Sequence, residues 1–371
     1  MFLNNYVFFL IMNKNNSGNF DNLILKSTQF SCDELGVVPI ERTIDELIEK
    51  GFVNIDKDCG PTSHTVADNI KKILGTTKSG HSGTLDPKVT GTLVMGLGRA
   101  TRLMEYMLKS DKVYVCLMYV HKKVSREKIE EGLRKFTGEI MQMPPIISAV
   151  KRQLRPRTIY SIDLLDYADE GQNVLFKVSC QHGTYIRKLC SDLGEYFGVG
   201  AQMAELRRTK AGPFTENDFS IGADKLRNLY NLYLKHDDGS QDLDNMSRFE
   251  KELRKYVRPM EDLLCEFKKI YVHDSSIDSL SHGYDLAVPG VSKLSSDIKK
   301  DEVVAVLSSK GELIAMGTAI MDSDEIMKAK QGMCATIDKV FMDVGYYPNI
   351  DYFKENYPEQ FVVSRKERGL E

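Results

Sequence analysis

The chain has no excess of either charge: 50 lysines and arginines stand against 53 aspartates and glutamates, a net of −3. A protein coated in one sign is thereby excluded, and any basic face has to be local. No Cys-x-x-Cys pair occurs among the seven cysteines. That removes the common zinc spacings, and the odd count fits a reducing compartment better than a disulfide framework. Internal repeats and long low-complexity segments are also missing. There is no P-loop, no zincin helix and no Gly-x-Ser-x-Gly elbow, so no metal and no nucleotide cofactor is expected. The apolar opening from Met1 to Met12 lacks a basic flank and a small-residue cleavage site, and it is too short to span a bilayer. Met12 offers a second start, and residues 1–36 are expected to form a poorly ordered tail.

What is present is ordinary for a globular protein, and 371 residues suffice for two or three domains. Thr43 and Glu46 have capping-box spacing for a short helix ending before Gly51. A strand is expected over 52–55, then a helix from Pro61-Thr62-Ser63 that stops at Gly75. Further expectations are a strand through Leu97, a helix from Thr101 to Leu108, and a strand over 113–120 buried on both faces. After Pro144-Pro145, the residues Val174, Phe176, Val178 and Cys180 alternate as a strand, and a helix follows from about Thr184. Strands and helices mix without a strict β-α-β rhythm, so the class is α+β. A larger first domain over 37–262 is followed, over 263–347, by short strands with turn signals, a small β-barrel pattern. A charged tail, 348–371, closes the chain.

The densest stretch is Gly80-His81-Ser82-Gly83-Thr84-Leu85-Asp86-Pro87-Lys88-Val89-Thr90-Gly91. Pro87 removes a donor and biases Asp86 toward extended backbone, so the carboxylate projects from a fixed loop. Alone, Asp-Pro between glycines is an ordinary turn. Tyr114 alone is a strand residue of the core; in a site it would offer a ring for a base to stack on and a hydroxyl for proton transfer. Arg187 falls in the first turn of its helix, where a cation opposes the helix dipole. It is either a surface arginine or a partner for an anion such as Asp86 or a phosphate, and Gly183 leaves room for a close approach. Lys151, Arg152, Arg155 and Arg157, without an acid between Ala149 and Ser161, and Leu206-Arg207-Arg208 form two basic groups. Each is either a solvated face or a phosphate-binding one.

These residues resemble the signature of the TruB/dyskerin pseudouridine synthases. Gly80 to Pro87 matches in order with Lys112-Val113-Tyr114, with Gly183-Thr184-Tyr185-Ile186-Arg187, and with Ala204-Glu205-Leu206-Arg207-Arg208-Thr209 leading to Gly212-Pro213-Phe214. Lys88 and the run from Ala149 to Tyr160 resemble the archaeal and eukaryotic dyskerin branch. His282-Gly283, Asp285 to Gly290 and Ala315 to Ala319 resemble its RNA-binding PUA domain. Val113 stands where that branch is often acidic. The long Lys-rich tails of eukaryotic dyskerins are missing, which fits an archaeal-type protein in the cytoplasm (the nucleolus if the source is eukaryotic).

The resemblance implies isomerisation of uridine to pseudouridine in RNA without a cofactor. Asp86 would attack the sugar or base, or take a proton from the sugar. Arg187 would face it, Tyr114 would stack on the base, and Leu206 would close the apolar side of the pocket. His81 would help hold the flipped base, and Lys112, Lys151, Arg152, Arg155, Arg157, Arg207 and Arg208 would bind RNA. Implied partners are an H/ACA guide RNA, the substrate RNA, and three small ribonucleoprotein proteins: a Gly/Arg-rich type, a zinc-ribbon-like protein and a kink-turn binder. Alternatives are a stand-alone enzyme for the tRNA T-loop uridine and, from another class, a non-catalytic RNA scaffold.

Overall fold

The structure is a computed structural model that describes residues 22–28, 31–143, 153–236 and 247–358. Two compact units result. One is Thr43–Arg258; the other joins the described residues up to Arg42 to those from Pro259 onward.

The first unit is built on one mixed sheet. Its order runs Ser220–Ile221, Gly51–Lys57, Thr90–Leu97, Ala201–Ala211, Lys112–Val120, Asn173–Cys180, Arg155–Ala168, Gly138–Gln142, with Ser79–His81 paired to Thr90–Leu97. Most pairs are antiparallel, but Thr90–Leu97 runs parallel to Ala201–Ala211. This mixture is what the α+β expectation requires. The helix Ile44–Lys50 carries the expected capping box between Thr43 and Glu46. Thr62 caps the helix Ser63–Leu74, and Gly75, left-handed at φ 68°, stops it. Ile186, Leu189, Cys190 and Leu193 put the inner face of the helix Ile186–Phe197 into the core shared with Cys116, Met118 and Phe176.

Two expectations for this unit change. Strand Lys112–Val120 is not buried on both faces: Cys116, Met118 and Val120 are buried, while Val115 and Leu117 are half-buried and Tyr119 is exposed. Its near-continuous apolar run reflects β propensity on a half-covered sheet, not two covered faces. The expected helix over 101–108 begins as a tight 3-10 turn, Gly98–Leu103, before the helix Met104–Leu108. Pro144 and Pro145 lie outside the described residues.

The second unit has a seven-stranded sheet in the order Leu23–Leu25, Val291–Ser295, Lys268–Val272, Val303–Leu307, Leu313–Ala319, Met333–Val340, Leu286–Ala287. The expectation of a poorly ordered tail is corrected for the strand Leu23–Leu25, while residues 1–21 and 29–30 lie outside the described residues; the first compact unit spans Thr43–Arg258 beside the expected 37–262. Leu23, Ile24 and Leu25 pair with Ser295, Leu294 and Lys293, and Lys26 Nζ donates to the carbonyls of Ile326 (2.7 Å) and Ala329 (2.8 Å). The pairing partner lies far along the chain, so no local pattern announces it. The charged C-terminal stretch likewise contains a helix, Ile350–Asn356, capped by Asn349 and anchored by the fully buried Phe353. No described helix is long and apolar enough to cross a membrane.

Candidate active site

The aspartate loop lies between strands Ser79–His81 and Thr90–Leu97. Leu85 and Val89 are buried (3% and 2% exposed), and Asp86, Pro87 and Lys88 between them face outward. The Val89 N–H donates to the Asp86 carbonyl at 2.9 Å. This closes a turn with Pro87 at its second position, where a fixed φ is favoured. Ser63 Oγ accepts from the Leu85 N–H (2.8 Å) and donates to the Leu85 carbonyl (3.1 Å). Beneath the turn sits Lys57, 1% exposed, whose ammonium donates to the carbonyls of Val89 (2.8 Å), Asp58 (2.9 Å) and Pro87 (3.2 Å). Burial pulls the Lys57 ammonium below its ordinary value, against the opposing pull of Cys59 and Asp58. Neither Lys57 nor Ser63 stands out in the sequence, because the loop carbonyls they bind are 22 to 32 residues away. The loop is thus held from below by side chains that leave Asp86 alone.

Asp86 is ion-paired to Arg187, and both side chains are 49% exposed. Arg187 is the second residue of the helix Ile186–Phe197, whose first turn contains no acid and whose cap residue, Tyr185, makes no side-chain cap. The anion facing that helix end is Asp86 itself, which accounts for a cation where the dipole disfavours one. An exposed pair of this kind stabilises by at most about 1 kcal/mol, so its consequence is aim rather than stability. Gln142, 2% exposed, fixes the helix start by accepting from the Tyr185 N–H (2.9 Å) and donating to the Tyr185 carbonyl (3.2 Å). Gln142 carries no sequence signal of this role.

Tyr114 is half-buried and pairs in register with Arg208 on one side and Val178 on the other. Burial pushes its phenol up, and the Arg208 guanidinium pulls it back by charge and hydrogen bonding. Leu206, 9% exposed, opposes Cys116 two residues further along and supplies an apolar wall. The His81 Nδ1 accepts from the Gly83 N–H at 3.4 Å, and its ring meets His64 edge-on at 5.3 Å. Burial, then His64 and Arg208, lower its pKa, so the imidazole is neutral at neutral pH.

The basic residues divide, and two of the expected RNA contacts, Lys112 and Arg208, are corrected as buried. Lys112 is 5% exposed and donates to the carbonyls of Ser110 (2.5 Å), Met107 (3.0 Å) and Leu108 (3.1 Å). It closes the turn that feeds the Tyr114 strand and does not face solvent. Arg208 is 1% exposed, with Nε on the Thr92 carbonyl (2.8 Å) and Nη2 on the Gly83 carbonyl (3.1 Å). Arg207, its side chain 38% exposed, is held between Asp56 (3.0 Å) and Glu216 (2.7 Å). Unpaired loop carbonyls and distant acids captured these side chains, and neither is visible in the run Leu206-Arg207-Arg208. Arg155 and Arg157 are half-buried in the strand Arg155–Ala168. Gly183, at φ 75°, does permit a close approach, but of Arg157: a Cβ there would lie 3.1 Å from its Nη2. Lys151 and Arg152 lie outside the described residues.

An outward aspartate on a clamped glycine loop, an arginine facing it and a half-buried tyrosine on the neighbouring strand are thus assembled from three separate stretches. The same stretches match known families. Residues 71–125 and 119–186 match the N-terminal domain of TruB family pseudouridylate synthases, and 187–265 match the C-terminal domain of tRNA pseudouridylate synthase B. Residues 268–341 match the PUA domain and 16–67 the DKCLD domain. A probable tRNA pseudouridine synthase B of Methanosarcina barkeri is 45% identical over 88% of this chain and 92% of its own length. The chain belongs to the TruB family of pseudouridylate synthases. It is accordingly an RNA isomerase. The Methanocaldococcus jannaschii relative of the same description is also 45% identical, over 89% of this chain and 94% of its own. Among solved structures, a Cbf5–Nop10–Gar1 complex matches at a TM-score of 0.79 and 40% identity, covering 89% of this chain and 97% of that one. An H/ACA ribonucleoprotein bound to a substrate RNA containing 2′-deoxyuridine matches at 0.79 and 38%, with the same coverage.

Proposed function

We propose that this pseudouridine synthase works as the guide-dependent catalytic subunit of an H/ACA ribonucleoprotein, isomerising uridine in RNA. The observation that carries this reading is the Asp86–Arg187 pair at an exposed position on a loop fixed from behind. A scaffold that only bound RNA has no need of an aspartate so held. Guide dependence is supported by the likeness, over 89% of the chain, to proteins solved in H/ACA particles with Nop10, Gar1 and substrate RNA.

The chemistry assigns each group a task. The uridine leaves its stack, which costs a few kcal/mol, and its base lies against the Tyr114 ring with Leu206 as the apolar wall. Neutral His81, beside the loop, takes the space vacated or filled during flipping without adding a charge. The Asp86 carboxylate acts at the sugar while the bond from N1 to C1′ breaks: as nucleophile it bonds C1′ and is released when C5 bonds there, or as base it takes a sugar proton and returns it to the same carbon. The base turns, C5 bonds to C1′, the C5 proton leaves and N1 ends protonated. Arg187 keeps Asp86 aimed through the sequence, and the Tyr114 hydroxyl lies beside the turning base as a proton carrier. Arg155 and Arg157 contribute phosphate contacts.

The second reading is a stand-alone enzyme for a tRNA uridine, favoured by the description of the Methanosarcina and Methanocaldococcus relatives as tRNA pseudouridine synthase B. One assay separates the two. Pseudouridine formation is timed on tRNA with the protein alone and on a guided target with the assembled particle. Guide dependence predicts the guided reaction to be the faster; equal or greater speed on tRNA without a guide contradicts it.

A further inference from the structure

Arg208 is the largest fully buried side chain among the described residues, and its surroundings are unusual for a cation. Among the described residues no carboxylate lies within ion-pair distance of it; its partners include the carbonyls of Thr92 (2.8 Å) and Gly83 (3.1 Å). Burying a charge without a counter-charge is costly, and two carbonyls could be satisfied by a neutral amide at far less cost. The position of the side chain shows what the charge does instead. Arg208 lies on the strand Ala201–Ala211, in register with Gly91 on one side and Tyr114 on the other. It therefore joins the strand that leaves the aspartate loop to the strand that carries the tyrosine. Gly91, at φ 100°, is required by this join, since a Cβ there would stand 2.2 Å from the Arg208 carbonyl. The guanidinium then reaches forward under the loop, where Nη1 lies 3.5 Å from the Cβ position of Gly83.

We propose that Arg208 is a positioning residue of the reaction: its planar guanidinium spans from the Gly83 carbonyl of the aspartate loop to the side of Tyr114 and sets the two at one height against the base. Resting on the catalytic reading above, this deepens it by naming the group that couples its two halves. The guanidinium also acts on both flanking groups in a consistent sense. It pulls down the Tyr114 phenol, which burial pushes up, and it helps keep His81 uncharged. A lysine in its place keeps the charge and cannot span, because an ammonium is a point donor and a guanidinium a rigid fork.

The test uses the full chain with guide and substrate RNA, as wild type, Arg208→Lys and Arg208→Met, under single-turnover conditions at saturating enzyme. Thermal midpoints and RNA affinity are measured beside the rates. The rate is expected to fall about 100-fold in Arg208→Met and about tenfold in Arg208→Lys, since small misplacements of a catalytic group cost factors of this order. RNA affinity is expected to stay within about threefold, because a buried residue makes no phosphate contact. A purely structural role predicts the loss to track the thermal midpoint and to vanish wherever the fold is intact. If Arg208→Met does not fold, Arg208→Lys carries the test. A folded Arg208→Lys within about twofold of the wild-type rate, or a loss that disappears at saturating RNA, overturns the proposal. A wild type that forms no pseudouridine contradicts the activity itself; an active wild type with unaffected Arg208 variants contradicts only the role of Arg208.

Discussion

Apart from the ion pairs Arg42–Glu261 in one unit and Glu250–Arg254 in the other, the two units bury opposite charges. Around the aspartate loop the buried ions are cations, Lys57, Lys112 and Arg208, each 5% exposed or less and each donating to backbone carbonyls. In the PUA-containing unit the corresponding buried residues are the acids Asp274 and Glu312. Asp274 accepts from the Cys32 N–H (2.8 Å), and Glu312 accepts from the hydroxyls of Tyr347 (2.8 Å) and Ser308 (3.1 Å). The difference follows from what each unit has to hold. A catalytic loop turns its carbonyls inward so that a carboxylate can point out, and inward carbonyls call for donors. The N-terminal segment packed on the other unit turns an N–H inward, and that calls for an acceptor. A buried charge here marks which end of the peptide unit faced inward.

The contrast has a consequence in pH, which gives its largest test. Burial pushes the Asp274 carboxyl up to about 6, against the pull of the Cys32 N–H and Ser309. With a folded value above the unfolded one, the native state holds the extra proton between roughly pH 4 and 6. Stability therefore falls as pH rises through that window, by about 3 kcal/mol, and is flat above it. Asp274→Asn should remove the slope, read as thermal midpoint against pH for the full chain. A wild-type midpoint that rises from pH 4 to 6 while that of the variant rises equally would break the account of this unit.

On the catalytic side, Lys57→Met leaves inward carbonyls without their donor, at a cost of about 2 kcal/mol. It should lower the urea midpoint and slow the reaction together, because the same bonds hold Asp86 in place. An unchanged midpoint would show that the loop does not depend on its buried cation. The smallest effect belongs to the half-buried arginines of the strand Arg155–Ala168. Arg155→Ala with Arg157→Ala should weaken RNA binding and reduce the magnitude of its salt slope by about 1 to 2. An unchanged slope would return both to a solvated face.

How much of this was legible in the sequence depended on the distance between partners. Asp86 could be read because glycine and proline act within a few residues. Arg187 could be read because a cation in a first helical turn is a local misfit that asks for an anion. The capping box at Thr43 and the stop at Gly75 are local in the same sense. Arg207 and Arg208 read as RNA contacts in the sequence because a basic run looks alike on a surface and under a loop, and Lys112 does so only through the family resemblance. Strand pairing decided between these, and Asp56, the partner of Arg207, is 151 residues away. The strand Leu23–Leu25 escaped for the same reason, as did the long strand Arg155–Ala168 with its alternating charged and apolar positions. Residues whose meaning lies in a contact across the sheet stay silent until the sheet is seen.

The most direct test of the central claim is a single substitution at the loop. Asp86→Asn keeps the volume and the turn and removes the charge. Pseudouridine formation on a guided target, read by mass spectrometry after single turnover, should fall by about 10³-fold or more, while RNA binding stays within a few-fold. Conversion at a rate near the wild type would contradict the assignment of Asp86 as the reacting group and, with it, the account of the loop built to present it.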